Sequence, residues 1–235
     1  MARLPRIDIA GVPQHVIQRG NNRLPCFLDD DDRHCYLRCL HDALVRFGCD
    51  LHAYVLMTNH THLLMTPRDV GALSRFMHTF SRNYVGMFNA RHGRTGTLWE
   101  GRYKACLVDS ERYSLACYRY IELNPVRARM VKDPAAYRWS SYLANALGQS
   151  NALLTPHSSY RALGSNAIAC ASAYHALCTQ VLPEETLDEI RLYIRQQGAL
   201  GTDEFRAQVE AKLQRFAGVR PAHRPRKLTE DEKCP

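Results

Sequence analysis

An α+β fold built around one antiparallel sheet is predicted by three observations on this 235-residue sequence. Short β-branched stretches alternate with long amphipathic runs. The order is strand, helix, strand, strand, helix, strand, helix. The two middle strands are separated only by a tight turn, which makes them an antiparallel hairpin. At 46% hydrophobic and 23% charged residues, the composition suits a chain that buries a core.

Residues 14–20, "QHVIQRG", alternate and carry β-branched Val16 and Ile17, so they read as the first strand, closed by the "GNN" turn signal. "DDDDRHCYLRCLHDALVRFG" follows. Its aspartates suit a helix start, Leu37, Leu40, Leu44 and Phe47 recur at helical spacing, and Gly48 stops it. "CDLHAYVLMT" and "HTHLLMTP" read as the hairpin strands, turning near Thr58 and Asn59. Leu73, Phe76, Met77, Phe80, Tyr84 and Phe88 then stripe one side of a long helix that ends near Gly93. A fourth strand is predicted around Tyr103 to Val108, and "SERYSLACYRYIELNPVRARMV" reads as one helix with Ser110 as N-cap.

This β-α-β-β-α-β order is the ferredoxin-like, split βαβ plan, with an antiparallel sheet and helices on one face. Residues 1–145 read as one domain and 146–217 as a helical C-terminal extension. Within the extension, the Ser/Ala/Asn-rich stretch near 145–166 reads as linker. Residues 184–197 and 202–217 read as two short helices joined by "GALG", with Thr202 as N-cap. The tail 218–235 is Pro-rich and charged, a composition that does not fold alone.

The net charge is +8, which favours an anionic partner, most often nucleic acid. Nine cysteines, an odd number with no C-x-x-C pair, argue against a disulfide framework or a zinc knuckle. No apolar run has membrane-spanning length, and "MARLPRIDIAG" lacks a signal-peptide core, so a cytoplasmic, nucleoid-associated protein is expected.

The chemistry concentrates in "LMTNHTHLLMTP". Side chains at i and i+2 share a strand face, so His60 and His62 can reach one metal ion while Thr61 points away. A bare H-x-H pair is more often two solvated histidines. Here it sits between apolar residues, where two buried rings are costly unless used. Tyr120 and Asn124 are four residues apart, one helical turn, and pair a possible nucleophile with an amide-oxygen ligand. From spacing alone, Tyr113, Tyr118 and Tyr120 could equally be core aromatics, and Asn124 before Pro125 could be a helix cap.

Four motifs in order, "VIQRGNNR", "VLMTNHTHLLMTP", "WEGRYKA" and "YRYIELNPVRARMV", resemble the single-tyrosine HUH transposases with an IS200-like transposase domain. Within that group the sequence is most similar to the REP-associated tyrosine transposase branch, over roughly residues 5–145. The resemblance implies His60, His62 and Asn124 as ligands of a divalent metal, Mg²⁺ or Mn²⁺, and Tyr120 as the nucleophile. Thr61 stands where relatives usually carry a bulky hydrophobic residue, and Asn124 where many outside the branch carry glutamine. The implied activity is cleavage and rejoining of single-stranded or hairpin DNA through a 5′-phosphotyrosine link, with no membrane partner and a monomer favoured over a homodimer.

Arg19, Arg23, Arg102, Lys104 and Arg127 are the expected DNA contacts, because they cluster in sequence around these motifs. Trp99 is assigned to the core in preference to base stacking. Two other classes compete. A metal-dependent hydrolase would also use H-x-H but would leave no covalent tyrosine product. A non-catalytic DNA-binding protein derived from a transposase would bind equally well without metal. Protonated imidazole cannot ligate, so activity is expected to fall as pH drops through the ordinary histidine range.

Overall fold

The computed structural model describes residues 6–110 and 112–220. The predicted order is present: β1 (Gln14–Arg19), α1 (Asp30–Phe47), β2 (Cys49–Met57), β3 (His60–Pro67), α2 (Ala72–Arg91) and β4 (Lys104–Val108). The strands lie in the order β2-β3-β1-β4 with every neighbouring pair antiparallel, the ferredoxin-like arrangement. A fifth strand, considered below, extends this sheet at β4.

Local chemistry sets the helix ends. The Asp29 carboxylate accepts from the Asp32 backbone N–H at 3.0 Å and caps α1. At the other end Gly48 adopts φ 63°, a left-handed conformation that a side chain would strain, and its N–H closes on Leu44 O at 3.1 Å.

The apolar stripes of α1 and α2 pack on one sheet face. Tyr36, Leu40, Phe76, Phe80 and Tyr84 are all buried there, and each such side chain is worth roughly 1.5–3 kcal/mol when removed from water. Two polar bonds fix the register between helices and sheet. The Tyr36 hydroxyl donates to Thr61 Oγ1 at 3.0 Å, and Gln18 Nε2 donates to Ser81 Oγ at 3.0 Å. Thr61 therefore faces α1 and α2, and its neighbours on β3 face the other way.

The opposite face is also covered by helices, which departs from the one-face expectation. The predicted helix 110–131 is instead α3 (Ser114–Glu122) and a single turn, α4 (Asn124–Arg127), hinged at Leu123. Pro125 explains the break, because it has no N–H to continue the helical ladder to the carbonyl of Ile121 and is at home only in the first turn of a new helix. The cap of α3 is Tyr113, not Ser110.

The C-terminal extension is built into the core. α5 (Tyr142–Leu147) runs across the expected boundary at residue 145, and the extension continues as α6 (Ser158–Arg161), α7 (Ala167–Cys178), α8 (Glu184–Gln196), β5 (Ala199–Leu200) and α9 (Asp203–Leu213). Two expectations are corrected. The stretch near 145–166 holds the end of α5 and all of α6 and leads into α7, which the sequence reading missed. "GALG" is a strand rather than a plain joint, pairing parallel to β4 with Leu107 opposite Ala199. Thr202 does cap α9, accepting from Phe205 N at 3.1 Å.

Residues 139–141, ahead of the extension, guard the other sheet edge. The Leu56 N–H donates to Trp139 O at 2.9 Å, and Ser141 N–H to Tyr54 O at 3.0 Å, so the outer rim of β2 is not left open to pairing. The expected unstructured tail lies, from residue 221 on, outside the described residues. The described cysteines are all free thiols.

Glu122 joins α3 to α5 and its N-terminal flank and to α7. Its carboxylate is fully buried and accepts from Ser141 Oγ, from Asn145 Nδ2 at 2.7 Å and from the Tyr174 hydroxyl at 2.7 Å. Burial pushes its pKa up to about 7, against the opposing pull of these three donors. The folded chain therefore holds this proton at pH values where the unfolded chain has lost it. Stability is predicted to fall as pH rises from about 4.5 to about 7, by about 3 kcal/mol at most, and to flatten above. Glu122→Gln should flatten that slope in thermal melts across the window. Glu122→Leu should destabilise at every pH, because it strands three buried donors at about 1–3 kcal/mol each.

Candidate active site

The face of the sheet opposite α1 and α2 carries the candidate chemistry. In the β1–β3 register Ile17 stands opposite His62 and Arg19 opposite His60. His15, Ile17 and Arg19 thus share a face with His60 and His62. The two rings of the pair lie 5.1 Å apart between centroids. α3 crosses above them and sets the Tyr120 ring 5.8 Å from His62 and 5.6 Å from His15.

A cavity of about 650 Å³ opens over this face, and its lining includes His60, His62, Tyr120 and Asn124. The cap alternative for Asn124 does not describe this backbone. Leu123 occupies the cap position of α4 with no side-chain bond, and Asn124 is the first helical residue.

The three candidate tyrosines separate by environment. Tyr118 is fully buried, stacks on Tyr160 at 5.9 Å, and its hydroxyl accepts from His157 N at 3.2 Å. Tyr113 donates to Glu189 Oε2 at 2.5 Å. Of the three, Tyr120 is the one that lines the cavity with the histidines. Burial raises its pKa, while the nearby charges of Arg127 and Arg191 pull it back down.

The ring nitrogens are disposed for ligation. His60 Nδ1 is held by Asn59 Oδ1 at 2.7 Å and His62 Nδ1 by His15 Nε2 at 2.8 Å, which leaves Nε2 of both rings uncommitted. Burial is the main cause that lowers the His60 pKa to about 4 and the His62 pKa well below the usual imidazole range. Both rings are therefore neutral, the form that binds metals. The imidazole protonation expected in the ordinary histidine range moves down to about pH 4 for His60.

Among the described residues no group of three or more His, Cys, Asp or Glu side chains forms a metal set. Two imidazoles and one amide oxygen nonetheless suit a divalent ion that keeps open positions for water and phosphate oxygens.

The predicted DNA contacts divide. Arg19, Arg102 and Lys104 line the cavity, while Arg23 is exposed on the turn after β1 and outside it. Arg127 is turned onto Tyr120: its guanidinium lies 4.5 Å over the ring and donates to the Tyr120 carbonyl. Trp99 is buried in the core, 6.0 Å from Tyr84.

Three lining contributions were not foreseen. Arg6 sits 3.7 Å over the Tyr103 ring, and Arg191 and Arg195 arrive from α8. No local motif marks Arg191 and Arg195, because their proximity arises only when α8 folds back onto the sheet. The third is Glu100, within the quoted "WEGRYKA" motif. His15 was visible in the sequence but lacked a close histidine neighbour along the chain. Its partner is diagonal, across the sheet.

The family model for IS200-like transposases matches residues 9–124. These residues form an IS200-like transposase domain. No curated protein matches the sequence. Among solved structures, the chain resembles a REP-associated tyrosine transposase bound to a REP hairpin, at 16% identity and a TM-score of 0.53, over 67% of this chain and 93% of that one. At that identity the likeness concerns the fold.

Two weaker likenesses carry no argument. One is a Deinococcus radiodurans R1 chain with a provisional transposase assignment, at 19% identity and TM-score 0.35, over 49% of this chain and 89% of that one. The other is a Saccharomyces cerevisiae tRNA(His) guanylyltransferase, at 10% identity and TM-score 0.41, over 78% and 86%. Among the described residues no helix of the chain is long and apolar enough to cross a membrane.

The position of Arg127 yields a prediction. If its guanidinium serves Tyr120 rather than a DNA phosphate, Arg127→Ala will cut strand cleavage at least tenfold. Hairpin affinity and its salt slope will change less than for Arg102→Ala, which removes a cavity-rim charge. Parallel cleavage gels and fluorescence-anisotropy titrations at several salt concentrations check this.

Proposed function

We propose that the chain is a metal-dependent transesterase that cleaves and rejoins single-stranded DNA through Tyr120, on a substrate with a hairpin and an unpaired flank. The observation that carries this reading is the meeting of Tyr120, His60, His62 and Asn124 in one cavity of an IS200-like transposase domain. The hairpin substrate is inferred from the structural relative, which was captured with one.

The Tyr120 hydroxyl oxygen attacks the scissile phosphorus. A tyrosyl O–P bond forms, the P–O3′ bond breaks, and the departing strand leaves as a 3′-hydroxyl. The proton lost by Tyr120 is matched by the one gained there. Attack by a 3′-hydroxyl reverses the step, and because one phosphate ester replaces another, no nucleotide cofactor is needed. Nε2 of His60 and His62 and the amide oxygen of Asn124 would hold Mg²⁺ or Mn²⁺. Such an ion supplies charge neutralisation at the phosphate and at the leaving oxygen.

The rest is positioning by the chain itself. Arg127 braces the Tyr120 ring and carbonyl. Arg6, Arg19, Arg102, Lys104, Arg191 and Arg195 line the same cavity against a single acid, Glu100, a balance suited to a phosphate backbone. Arg191 is also paired with Glu184 and Asp188 at 2.8 Å each, which fixes its guanidinium on α8.

Tyr120→Phe removes one oxygen and keeps the ring, so the fold and hairpin binding should survive within a few-fold. Cleavage of a labelled hairpin with Mn²⁺ should vanish. His60→Ala and His62→Ala should likewise lose cleavage and keep most DNA affinity. Full cleavage by Tyr120→Phe would exclude the tyrosine mechanism in favour of hydrolysis. Equal affinity for blunt duplex and hairpin at moderate salt would favour a DNA-binding protein without this chemistry.

A further inference from the structure

His15 is fully buried on β1 and does not line the cavity. Its Nε2 meets His62 Nδ1 at 2.8 Å, and its own Nδ1 has no hydrogen-bond partner. A histidine kept only for packing need not look like this. His52, also buried in the sheet, satisfies both nitrogens, with Thr155 O at 2.7 Å and Thr66 Oγ1 at 2.7 Å. Position 15 instead tolerates a buried polar atom without a partner, which a leucine or phenylalanine would avoid.

The hydrogen bond between the two rings contains one proton, and its owner decides what His62 offers the cavity. If His15 Nε2 carries it, His62 Nδ1 is the acceptor, and His62 bears its own hydrogen on Nε2. That nitrogen then has no lone pair for a metal. If His62 Nδ1 carries it, His15 Nε2 accepts and His62 Nε2 is a free donor atom.

We propose that His15 is a positioning residue for the metal site: it accepts the Nδ1–H of His62 across the sheet, fixing the ring angle and the tautomer that leaves Nε2 free for a divalent ion. This inference rests on reading His60 and His62 as metal ligands. His60 receives the parallel service locally from Asn59 Oδ1 at 2.7 Å. Each ring of the pair is thus oriented through Nδ1, one by a neighbour in the chain and one by a neighbouring strand, the usual way ligating imidazoles are held.

The test titrates Mn²⁺ into the full-length protein, with the free ion followed by electron paramagnetic resonance, for wild type, His62→Ala, His15→Phe and His15→Gln. His15→Phe keeps bulk and removes the acceptor, and should weaken Mn²⁺ binding about 10–100-fold. His15→Gln supplies an amide oxygen in its place and should return to within a few-fold of wild type. In ¹⁵N-histidine spectra of the wild-type protein with Mg²⁺, His62 should be protonated on Nδ1.

Wild-type Mn²⁺ affinity in His15→Phe, with binding lost in His62→Ala, would overturn the role of His15 and leave the metal site standing. Undiminished binding in His62→Ala, or none in wild type, would overturn the metal reading and this inference with it. Equal loss in both His15 variants would reduce the residue to packing. Should His15→Phe not fold, the spectrum decides, and an Nε2-protonated His62 in the metal-loaded protein would refute the proposal.

Discussion

The antiparallel register between β1 and β3 is the constraint on which the site depends. With Ile17 opposite His62 and Arg19 opposite His60, one sheet face collects His15, Arg19, His60 and His62. The other face gives Thr61 and Gln18 to the helices α1 and α2. A one-residue slip of β3 would exchange these sets, driving imidazoles into the aromatic layer under α1. Two hydrogen bonds of 3.0 Å, from Tyr36 to Thr61 and from Gln18 to Ser81, pin the side without chemistry and so fix the side with it. The threonine between the histidines is thus explained: its hydroxyl is the acceptor for a tyrosine that would otherwise be buried unpaired.

The tyrosine helix is the second half of the arrangement, and it is anchored from both sides. Glu122, two residues after Tyr120, is gripped by Ser141, Asn145 and Tyr174, all from the segment after the family match ends. Arg127, beyond the Leu123 hinge, holds the Tyr120 ring and carbonyl. The extension also adds β5 to one sheet edge and lines the cavity from α8, while residues 139–141 ahead of it cover the opposite edge. Tyr120 is therefore placed over the histidines of its own chain, by contacts within that chain.

Much of this was legible in the residues. Period-2 and period-3.6 patterns set the sheet and its two long helices, because there burial dominates and the core faces are unmixed. His60 and His62 were legible because i and i+2 share a face whatever the tertiary fold. The failures share a cause. α7 has apolar residues around much of its circumference, so it shows no stripe, and "GALG" becomes a strand only because β4 offers an edge. His15, Arg191 and Arg195 reach the site through pairings set by tertiary structure, which no spacing along the chain encodes. Among three tyrosines, spacing could not choose. The packing separates Tyr118 into the aromatic core, Tyr113 onto Glu189 and Tyr120 into the cavity.

The central proposal is that Tyr120, rather than Tyr113 or Tyr118, takes a phosphate from DNA. Its most direct measurement is peptide mass spectrometry of the full-length protein after incubation with Mn²⁺ and a hairpin carrying a single-stranded flank, followed by nuclease and protease digestion. The account predicts a nucleotide remnant on the peptide containing Tyr120, localised by fragmentation to that residue. A remnant on Tyr113 or Tyr118, or cleaved DNA with no modified tyrosine, would contradict it.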